Sequence, residues 1–309
     1  MHAYLVYGLG LLSDVPIPEL LPHPGFPVQG RADISVEFGI IPSDWDAPPA
    51  VGGGSDAVPS DSWSERRADT NETLSVFAGV GRYLVRAGHS VTIEADPGAD
   101  PAFVRHLLLG PVLAHLLWQR DIFTLHASVA EIGASYVGFV GVSGEGKSTT
   151  AAALEARGHT LVCDDIAALT QQAGRLHVLP AFPRIRLYDD SVRGVGGDPE
   201  SLPWVHPHYD KRSKGIAHFA TQPVPLHRLY VLETGDDFAI DRLPAGKAVM
   251  ELVRHTYLAH QYAPLYGFKQ QLERATDVAR QVEVYRLTRP KDLARLPELV
   301  GLLEASAAR

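Results

Sequence analysis

Cysteine is almost absent from this chain of 309 residues, which contains only Cys163. A single cysteine excludes an internal disulfide framework, and it argues against a structural zinc site, which usually depends on thiolates. Cys163 lies in a short apolar stretch, so we interpret it as a buried structural thiol. Scarce cysteine is typical of proteins from reducing compartments, and we therefore expect a cytoplasmic protein.

Runs of positive charge and long apolar runs are also missing. The formal net charge is -8 and the isoelectric point is about 5.9, so we expect no nucleic-acid partner. The apolar run 107–118 is too short to span a bilayer and contains Pro111 and His115, so we interpret it as a core helix. The first lysine or arginine is Arg31, so the apolar start lacks the positive region of a signal peptide. We expect no membrane association.

One glycine-rich stretch indicates a specific chemistry. Residues 141–148 are Gly-Val-Ser-Gly-Glu-Gly-Lys-Ser and fit the phosphate-binding pattern G-x-x-x-x-G-K-[ST]. The apolar stretch 134–140 predicts a buried strand before it, and the alanine-rich stretch 148–157 predicts a helix after it, which Gly158 ends. A glycine-rich turn at the start of an ordinary helix is the alternative, but this context favours nucleotide binding.

The pattern predicts a task for each part of the stretch. Glycines let the backbone curl so that successive N–H groups point at the β-phosphate, and the positive end of the following helix adds to the attraction. Lys147 is expected to reach the β- and γ-phosphates, and the Ser148 hydroxyl is expected to ligate Mg²⁺. We therefore expect ATP and Mg²⁺ as ligands. The predicted nucleotide-binding residues are Gly141, Ser143, Gly144, Glu145, Gly146, Lys147, Ser148 and Thr149.

An acidic pair, Asp164 and Asp165, begins seventeen residues after Lys147. The stretch 160–163 predicts a short strand with the pair at its carboxyl end, where ligands bind in parallel α/β sheets. Adjacent side chains of a strand point in opposite directions, so both carboxylates share a site only if the strand ends there. One would then ligate metal and the other would orient or deprotonate a hydroxyl. An exposed turn pair or a helix N-cap is the alternative.

The two parts of the chain differ in composition. Residues 1–115 contain strand patterns separated by proline-rich turns and no nucleotide motif, so we predict a smaller β-rich domain that recognises a peptide. Residues 116–309 mix strand and helix patterns around the glycine-rich stretch, so we predict an α/β domain that binds ATP. A helical connection over 100–120, kinked near Gly110 and Pro111, is expected between them.

The order of these motifs resembles a known family. His126, the glycine-rich stretch 141–148 and the segment 157–165 resemble the catalytic half of HPr kinase/phosphorylase, whose fold is related to the nucleotide domain of phosphoenolpyruvate carboxykinase. The chain is also similar to HPr-kinase-like serine kinases that are encoded with ribosomal peptide pathways, including lasso-peptide kinases. The segments that carry this second similarity are 7–9, 13–20, 210–212 and 284–290.

The resemblance implies an α/β fold with a P-loop kinase core of the HPr kinase and phosphoenolpyruvate carboxykinase type. It makes Asp164 the general base and Asp165 a carboxylate associated with Mg²⁺, although the two roles could be exchanged. It places His126 beside the phosphates, the alternative being an ordinary core histidine in a strand. Residues expected to contact transferred phosphate or an acidic end of the substrate, unless they belong to a solvated basic loop, are Arg186, Lys211 and Arg212.

The leading hypothesis is an ATP- and Mg²⁺-dependent kinase for a serine hydroxyl of a small peptide or protein, such as a lasso or other ribosomal precursor peptide. The signature Leu-Glu-x-Arg-Gly-Leu-Gly of HPr kinase is missing after the acidic pair, which leaves activity on HPr and reverse phosphorolysis without support. A small-metabolite kinase is one alternative, and a nucleotide-binding regulator without transferase activity is another. Related kinases form hexamers, but nothing in this sequence demands a homo-oligomer.

Overall fold

The computed structural model describes residues 1–23, 32–42, 63–206 and 209–307, with the backbone alone for 63–68. It is a mixed α/β structure that divides into two compact units. The first unit comprises Met1–Thr124 and Leu258–Phe268, and the second comprises Leu125–Tyr257 and Lys269–Arg309. The division therefore falls nine residues later than the predicted boundary at 115, and the first unit also takes a segment from late in the chain.

Strands form most of the regular structure in the described part of the chain. In order they are β1 His2–Val6, β2 Leu9–Ser13, β3 Leu21–Pro22, β4 Ile34–Phe38, β5 Trp63–Ala68, β6 Glu72–Phe77, β7 Gly81–Arg86, β8 Ser90–Ala95, β9 Phe123–Ile132, β10 Ser135–Val140, β11 Leu161–Cys163, β12 Ile166–Gln172, β13 Arg175–Leu179, β14 Arg184–Leu187, β15 Trp204–His206, β16 Tyr209–Gly215, β17 Val224–Pro225, β18 Arg228–Thr234, β19 Ala239–Arg242 and β20 Glu283–Arg289.

Helices are concentrated in the second half of the chain. They are α1 Pro101–Leu107, α2 Leu113–Gln119, α3 Lys147–Ala156, α4 Asp189–Gly194, α5 Ala245–Arg254, α6 Ala259–Tyr266, α7 Phe268–Gln281 and α8 Leu296–Ala307. A π-helical segment, Leu108–Val112, joins α1 to α2, and short 3₁₀ turns occupy Pro199–Ser201 and Leu293–Arg295.

One eight-stranded sheet forms the first unit, with the strand order β3-β1-β2-β4-β8-β7-β6-β5. The pairs β2–β4 and β4–β8 are parallel, and the other neighbours are antiparallel. Burial alternates along β1 and β8, as the two-residue period of a strand predicts. In β8, for example, Val91 and Ile93 are buried and the residues between and around them are more exposed.

The predicted helical connection is present and bends at the predicted place. α1 begins at Pro101, and the carboxylate of the preceding Asp100 accepts a hydrogen bond from the backbone N–H of Ala102 at 2.9 Å. Gly110, directly before Pro111, has φ of -106° and ψ of -109°, outside the helical region. Because proline cannot donate the next backbone hydrogen bond, the helix is interrupted there.

The same helical stretch, Pro101–Gln119, has the length and apolar composition of a membrane-spanning helix. However, 83% of its most apolar window is buried inside the protein. A core helix of a globular protein can have the same length and apolar composition as a membrane-spanning helix. The burial of this helix therefore fits its interpretation as a core helix.

A nine-stranded sheet forms the centre of the second unit. Its order is β17-β13-β12-β9-β10-β18-β20-β19, and β11 pairs with β9 beside this path. β9 and β10 form an antiparallel hairpin, whereas β10, β18 and β20 are parallel neighbours. The carboxyl ends of these three parallel strands therefore lie at one edge of the sheet, which is the usual edge for ligands.

Helix α3 packs its small side chains into the core of the second unit. Ala151, Ala152 and Leu154 are fully buried in one cluster with Leu299 and Leu303 of α8. Because alanine side chains are short, the two helices approach closely. Burial of a leucine such as Leu154 contributes about 1.5–3 kcal/mol to the stability of the folded protein. The start of α3 is thereby held at the carboxyl end of β10. A separate three-stranded sheet, β14-β16-β15, completes the unit.

Candidate active site

The glycine-rich loop lies between β10 and α3, as the sequence predicts. Gly144 and Gly146 have φ values of 81° and 78°, in the left-handed region that favours glycine. The backbone N–H of Glu145 donates to the carbonyl of Val142 at 3.2 Å, which tightens the loop. Helix α3 then begins, with the N–H and hydroxyl of Thr150 both donating to the Gly146 carbonyl at 2.9 Å. The loop is therefore curled directly before a helix N-terminus.

Lys147 occupies the first position of α3 and is only 7% exposed. Its ammonium group donates to the carbonyl of Gly141 at 2.7 Å and to that of Val142 at 3.3 Å. Both carbonyls belong to the glycine-rich loop, so the Lys147 side chain folds back over the start of that loop. A buried ammonium group so close to a helix N-terminus attracts anions.

The Ser148 hydroxyl contacts the first residue of the acidic pair. Oδ1 of Asp164 accepts hydrogen bonds from Ser148 Oγ at 2.8 Å and from Ser128 Oγ at 2.6 Å. Oδ2 accepts from the backbone N–H of Arg186 at 3.2 Å. Asp164 is 6% exposed. Both carboxylate oxygens are therefore fixed, and one of them lies beside the hydroxyl that the motif assigns to a metal ion.

Asp165 lies at a turn, because β11 ends at Cys163 just before the pair. Its φ of 81° is unusual for a residue with a side chain, and such strain is concentrated at functional sites. Its carboxylate forms an ion pair with Arg186, lies 3.3 Å from Nδ1 of His126 and accepts a hydrogen bond from the Tyr257 hydroxyl at 3.3 Å. Since Arg186 contacts both aspartates, the two carboxylates share one site.

Neighbouring charges set the protonation of this site. Burial alone would raise the pKa of Asp165, but the charge and hydrogen bond of Arg186 lower it to about 2. Burial, together with the charge of Lys147, lowers the pKa of His126 to about 3, despite the opposing attraction of Asp165. At neutral pH Asp165 is therefore an anion and His126 is uncharged.

Lys211 lies in strand β16, and its charge acts on Asp165. Its ammonium group is 4.9 Å from the ring centre of Tyr188 and 5.5 Å from that of Tyr209. Burial has the largest effect on the pKa of Asp165 and raises it, and Arg186 lowers it. The charge of Lys211 lowers the same pKa by a smaller amount. Lys211 therefore lies near Asp165, in a strand and not in the polar loop that the sequence predicts.

Arg212 is directed elsewhere, because successive side chains of a strand alternate between faces. Its guanidinium donates to Asp189 at 2.9 Å, to the Leu202 carbonyl at 3.1 Å and to Glu200 at 3.3 Å, and it lies 3.4 Å from the ring centre of Trp204. Arg212 is only 5% exposed. These contacts join β16 to α4 and to the 3₁₀ turn before β15, so we withdraw Arg212 from the residues expected to contact substrate.

Two further residues of the site, Ser128 and Tyr257, were not predicted from the sequence. Ser128 follows His126 by two residues on β9, so the period of a strand gives a signal that both face the acidic pair. Tyr257 has no such local signal. It reaches Asp165 because Thr256 forms an isolated bridge with Leu125, which aligns the segment after α5 with the start of β9.

Comparison with known proteins identifies a distant structural likeness. A solved HPr(Ser) kinase/phosphatase from Coxiella burnetii aligns over 60% of this chain and 88% of its own, with 18% sequence identity and a TM-score of 0.32. No protein-family model matches the sequence, and no curated protein matches it. A TM-score of 0.32 is too low to assign a function to this protein. The proposed function is therefore inferred from the residues of the site and their geometry.

The pKa values of the site lead to a prediction about pH. In the wild type, neither Asp165 nor His126 should change charge between about pH 5 and pH 8. Replacing Arg186 by glutamine removes the cation that stabilises the carboxylate, and burial then raises the pKa of Asp165. Any activity that requires the Asp165 carboxylate should therefore have an acidic limb of kcat/KM at higher pH in Arg186→Gln.

The measurement is kcat/KM, for the phosphoryl transfer proposed below, across that pH range for both proteins. Arg175→Gln, which removes an exposed arginine from β13, is the matched control and should retain the wild-type profile. An Arg186→Gln profile that matches the wild-type profile between about pH 5 and pH 8 would contradict the proposed coupling between Arg186 and Asp165.

Proposed function

We propose that this protein is an ATP- and Mg²⁺-dependent kinase that phosphorylates a serine hydroxyl in a small peptide or protein. The observation that carries the proposal is the contact at the start of α3, where Ser148 Oγ lies 2.8 Å from Asp164 Oδ1. A hydroxyl at the helix start, a carboxylate beside it and a lysine one residue earlier are the groups that phosphoryl transfer from ATP uses.

The loop and α3 supply the proposed binding site for the phosphates of ATP. The backbone N–H groups of the curled loop and the positive end of the ten-residue helix α3 favour binding of a multiply charged anion. Lys147 would exchange its bonds to the carbonyls of Gly141 and Val142 for bonds to phosphate oxygens. These charge-assisted hydrogen bonds are stronger than those to neutral carbonyls, so binding is favoured.

Ser148 and Asp164 fit Mg²⁺, which prefers oxygen ligands and usually takes one or two protein groups together with phosphate oxygens and waters. The described residues contain no group of three or more histidine, cysteine, aspartate and glutamate side chains arranged as a metal site. A magnesium site that depends partly on the nucleotide needs no such group. When bound, the ion would neutralise charge on the transferring phosphate.

We assign the acceptor hydroxyl to Asp165 and the metal to Asp164, which exchanges the roles first predicted. Ser148 and Ser128 both donate to one oxygen of Asp164, whereas Asp165 contacts His126 and Arg186. In the reaction the acceptor oxygen forms a bond to the γ-phosphorus while the bond to the bridging oxygen of ADP breaks. The hydroxyl proton passes to Asp165 late, because a carboxylate with a pKa of about 2 is a weak base.

The positive charges of Arg186 and Lys211 would attract a negatively charged or phosphorylated group of the substrate near its acceptor hydroxyl. Both cations lie at the side of Asp165, and Tyr188 beside Lys211 is 43% exposed. An acceptor with a carboxylate near its serine would gain charge-assisted hydrogen bonds there. Serine suits the site because its primary hydroxyl is unhindered. A peptide with an acidic residue or a free carboxyl end near that serine is therefore the proposed substrate.

We expect this protein to phosphorylate a precursor peptide that is encoded beside its own gene. The enzyme is incubated with Mg-ATP and the peptide, and mass spectrometry locates the added phosphate. We expect it on serine, and a peptide with that serine replaced by alanine should receive none.

Two other outcomes would replace the proposal. Efficient phosphorylation of a free sugar, nucleoside or amino acid, with no labelling of the peptide, would indicate a small-metabolite kinase. Tight binding of ATP with no phosphoryl acceptor would indicate a nucleotide-binding regulator.

A further inference from the structure

A buried arginine outside every predicted site lies against the glycine-rich loop. Arg289, the last residue of β20, is 8% exposed. One terminal nitrogen of its guanidinium donates to the backbone carbonyl of Glu145, and the other donates to the carbonyl of Pro290 at 3.1 Å. Its Nε is buried and has no hydrogen-bond partner in the described part of the chain. Both of these hydrogen bonds go to neutral carbonyls, so the cost of burying this cation is only partly compensated.

Glu145 is also held through its side chain. Its carboxylate accepts a hydrogen bond from the Thr234 hydroxyl at 2.9 Å and lies 2.8 Å from the ammonium group of Lys291. Thr234 ends β18, and its Cα is paired with that of Arg289 at the end of the parallel neighbour β20. The ends of two parallel strands thus fix one loop residue at both its backbone and its side chain.

The contact with the Glu145 carbonyl also orients the next N–H group. A trans peptide is planar, with its C=O and N–H pointing in opposite directions. Holding the Glu145 oxygen at Arg289 therefore turns the N–H of Gly146 away from Arg289. A side chain at Gly146 would collide with the guanidinium, and its φ of 78° also favours glycine. The loop and the arginine consequently fit only with glycine at position 146.

We infer that Arg289 is a positioning residue for the nucleotide: it fixes the Glu145–Gly146 peptide so that the Gly146 N–H faces the bound phosphates. This inference deepens the proposed function and depends on it, since it assumes that the loop binds the phosphates of ATP. Arg289 acts through the loop backbone, so its contribution belongs to the phosphates and not to the base or the ribose. Preorganised N–H groups bind anions without the cost of ordering the loop.

The test separates phosphate binding from binding of the rest of the nucleotide. Dissociation constants of Mg-ADP and adenosine are measured for the wild type, Arg289→Met and Arg289→Lys, and melting temperatures are measured without nucleotide. We expect Arg289→Met to weaken Mg-ADP binding by about tenfold or more, the value of a hydrogen bond to a charged group, with adenosine binding unchanged. Arg289→Lys keeps the positive charge but lacks the planar guanidinium group. It should therefore lose less affinity for Mg-ADP than Arg289→Met, and its affinity for adenosine should also stay unchanged.

Arg286→Met is the matched control, because Arg286 belongs to the same strand and pairs instead with Glu233. It should bind both ligands as the wild type does. Unchanged Mg-ADP binding in folded Arg289→Met, or equal weakening of Mg-ADP and adenosine, would overturn the positioning role alone. If Arg289→Met does not fold, the same comparison in Arg289→Lys decides. A wild type that does not bind Mg-ADP would overturn the proposed function as well.

Discussion

Lys147→Ala should lose ATP-dependent phosphoryl transfer while the protein stays folded. Removing one preorganised donor to a transition-state oxyanion typically costs about 10²–10³ in turnover, and Lys147 also supplies a full charge. Alanine suits the first turn of a helix, and it leaves no buried ammonium group to compensate. The measurements are a phosphoryl-transfer assay and melting curves with and without Mg-ATP. We expect the ATP-induced rise in melting temperature to be lost.

Lys247→Ala is the matched control for this variant. Lys247 also lies in the first turn of a helix, α5, but it is exposed and distant in sequence from the loop. Its replacement should leave activity and the response to Mg-ATP unchanged. Full activity in Lys147→Ala, together with a wild-type shift of the melting curve, would show that the loop does not bind the phosphates.

The second large effect concerns the acidic pair. Asp164→Asn and Asp165→Asn should each lower turnover by at least about 10²-fold, the contribution expected of a positioned acid or base. The two variants should differ in their response to Mg²⁺. Asp164 contacts Ser148, so Asp164→Asn should raise the Mg²⁺ concentration needed for half-maximal rate. Asp165→Asn should lower turnover with little change in that concentration.

Titration of the rate with Mg²⁺ in both variants measures this difference, and Asp241→Asn in the exposed strand β19 serves as the control. A higher Mg²⁺ requirement in Asp165→Asn alone would restore the roles that were first predicted. Near-normal turnover of both variants at low Mg²⁺ would mean that the pair is structural.

Local patterns in the sequence predict the elements around the loop closely. The predicted strand 134–140 is β10, at Ser135–Val140, and the predicted helix 148–157 is α3, at Lys147–Ala156. Both depend on patterns within ten residues, namely an uncharged apolar run and an alanine-rich stretch next to glycine. Cys163 is buried, and burial raises the pKa of its thiol well above the usual value, as expected of a structural cysteine.

Contacts between distant parts of the chain could not be predicted in the same way. Arg289 reaches Glu145 across 144 positions because β10, β18 and β20 end at one edge of the sheet. Tyr257 reaches Asp165 across 92 positions through an isolated bridge. The assignment of 258–268 to the first unit is likewise a long-range feature. Strand order and bridges of this kind depend on pairing that leaves no local periodicity.

The pair Lys211 and Arg212 shows a second limit of prediction from the sequence. Adjacent basic residues in a polar segment were treated as one patch, because the segment gave no strand signal. Once the segment is known to be β16, alternation separates them, with Lys211 beside Tyr188 and Arg212 bound to Asp189. Which of two neighbours faces a site therefore depends on knowing that the segment is a strand.

The proposed transfer of the γ-phosphoryl group of ATP is tested most directly by following that group. The wild type and Lys147→Ala are incubated with Mg²⁺, the acceptor peptide and ATP labelled at either the γ- or the α-phosphorus. We predict that label from the γ-position appears on the peptide serine with the wild type, that none appears from the α-position, and that Lys147→Ala transfers neither. Transfer of the α-label, or equal transfer by Lys147→Ala, would contradict the proposed kinase.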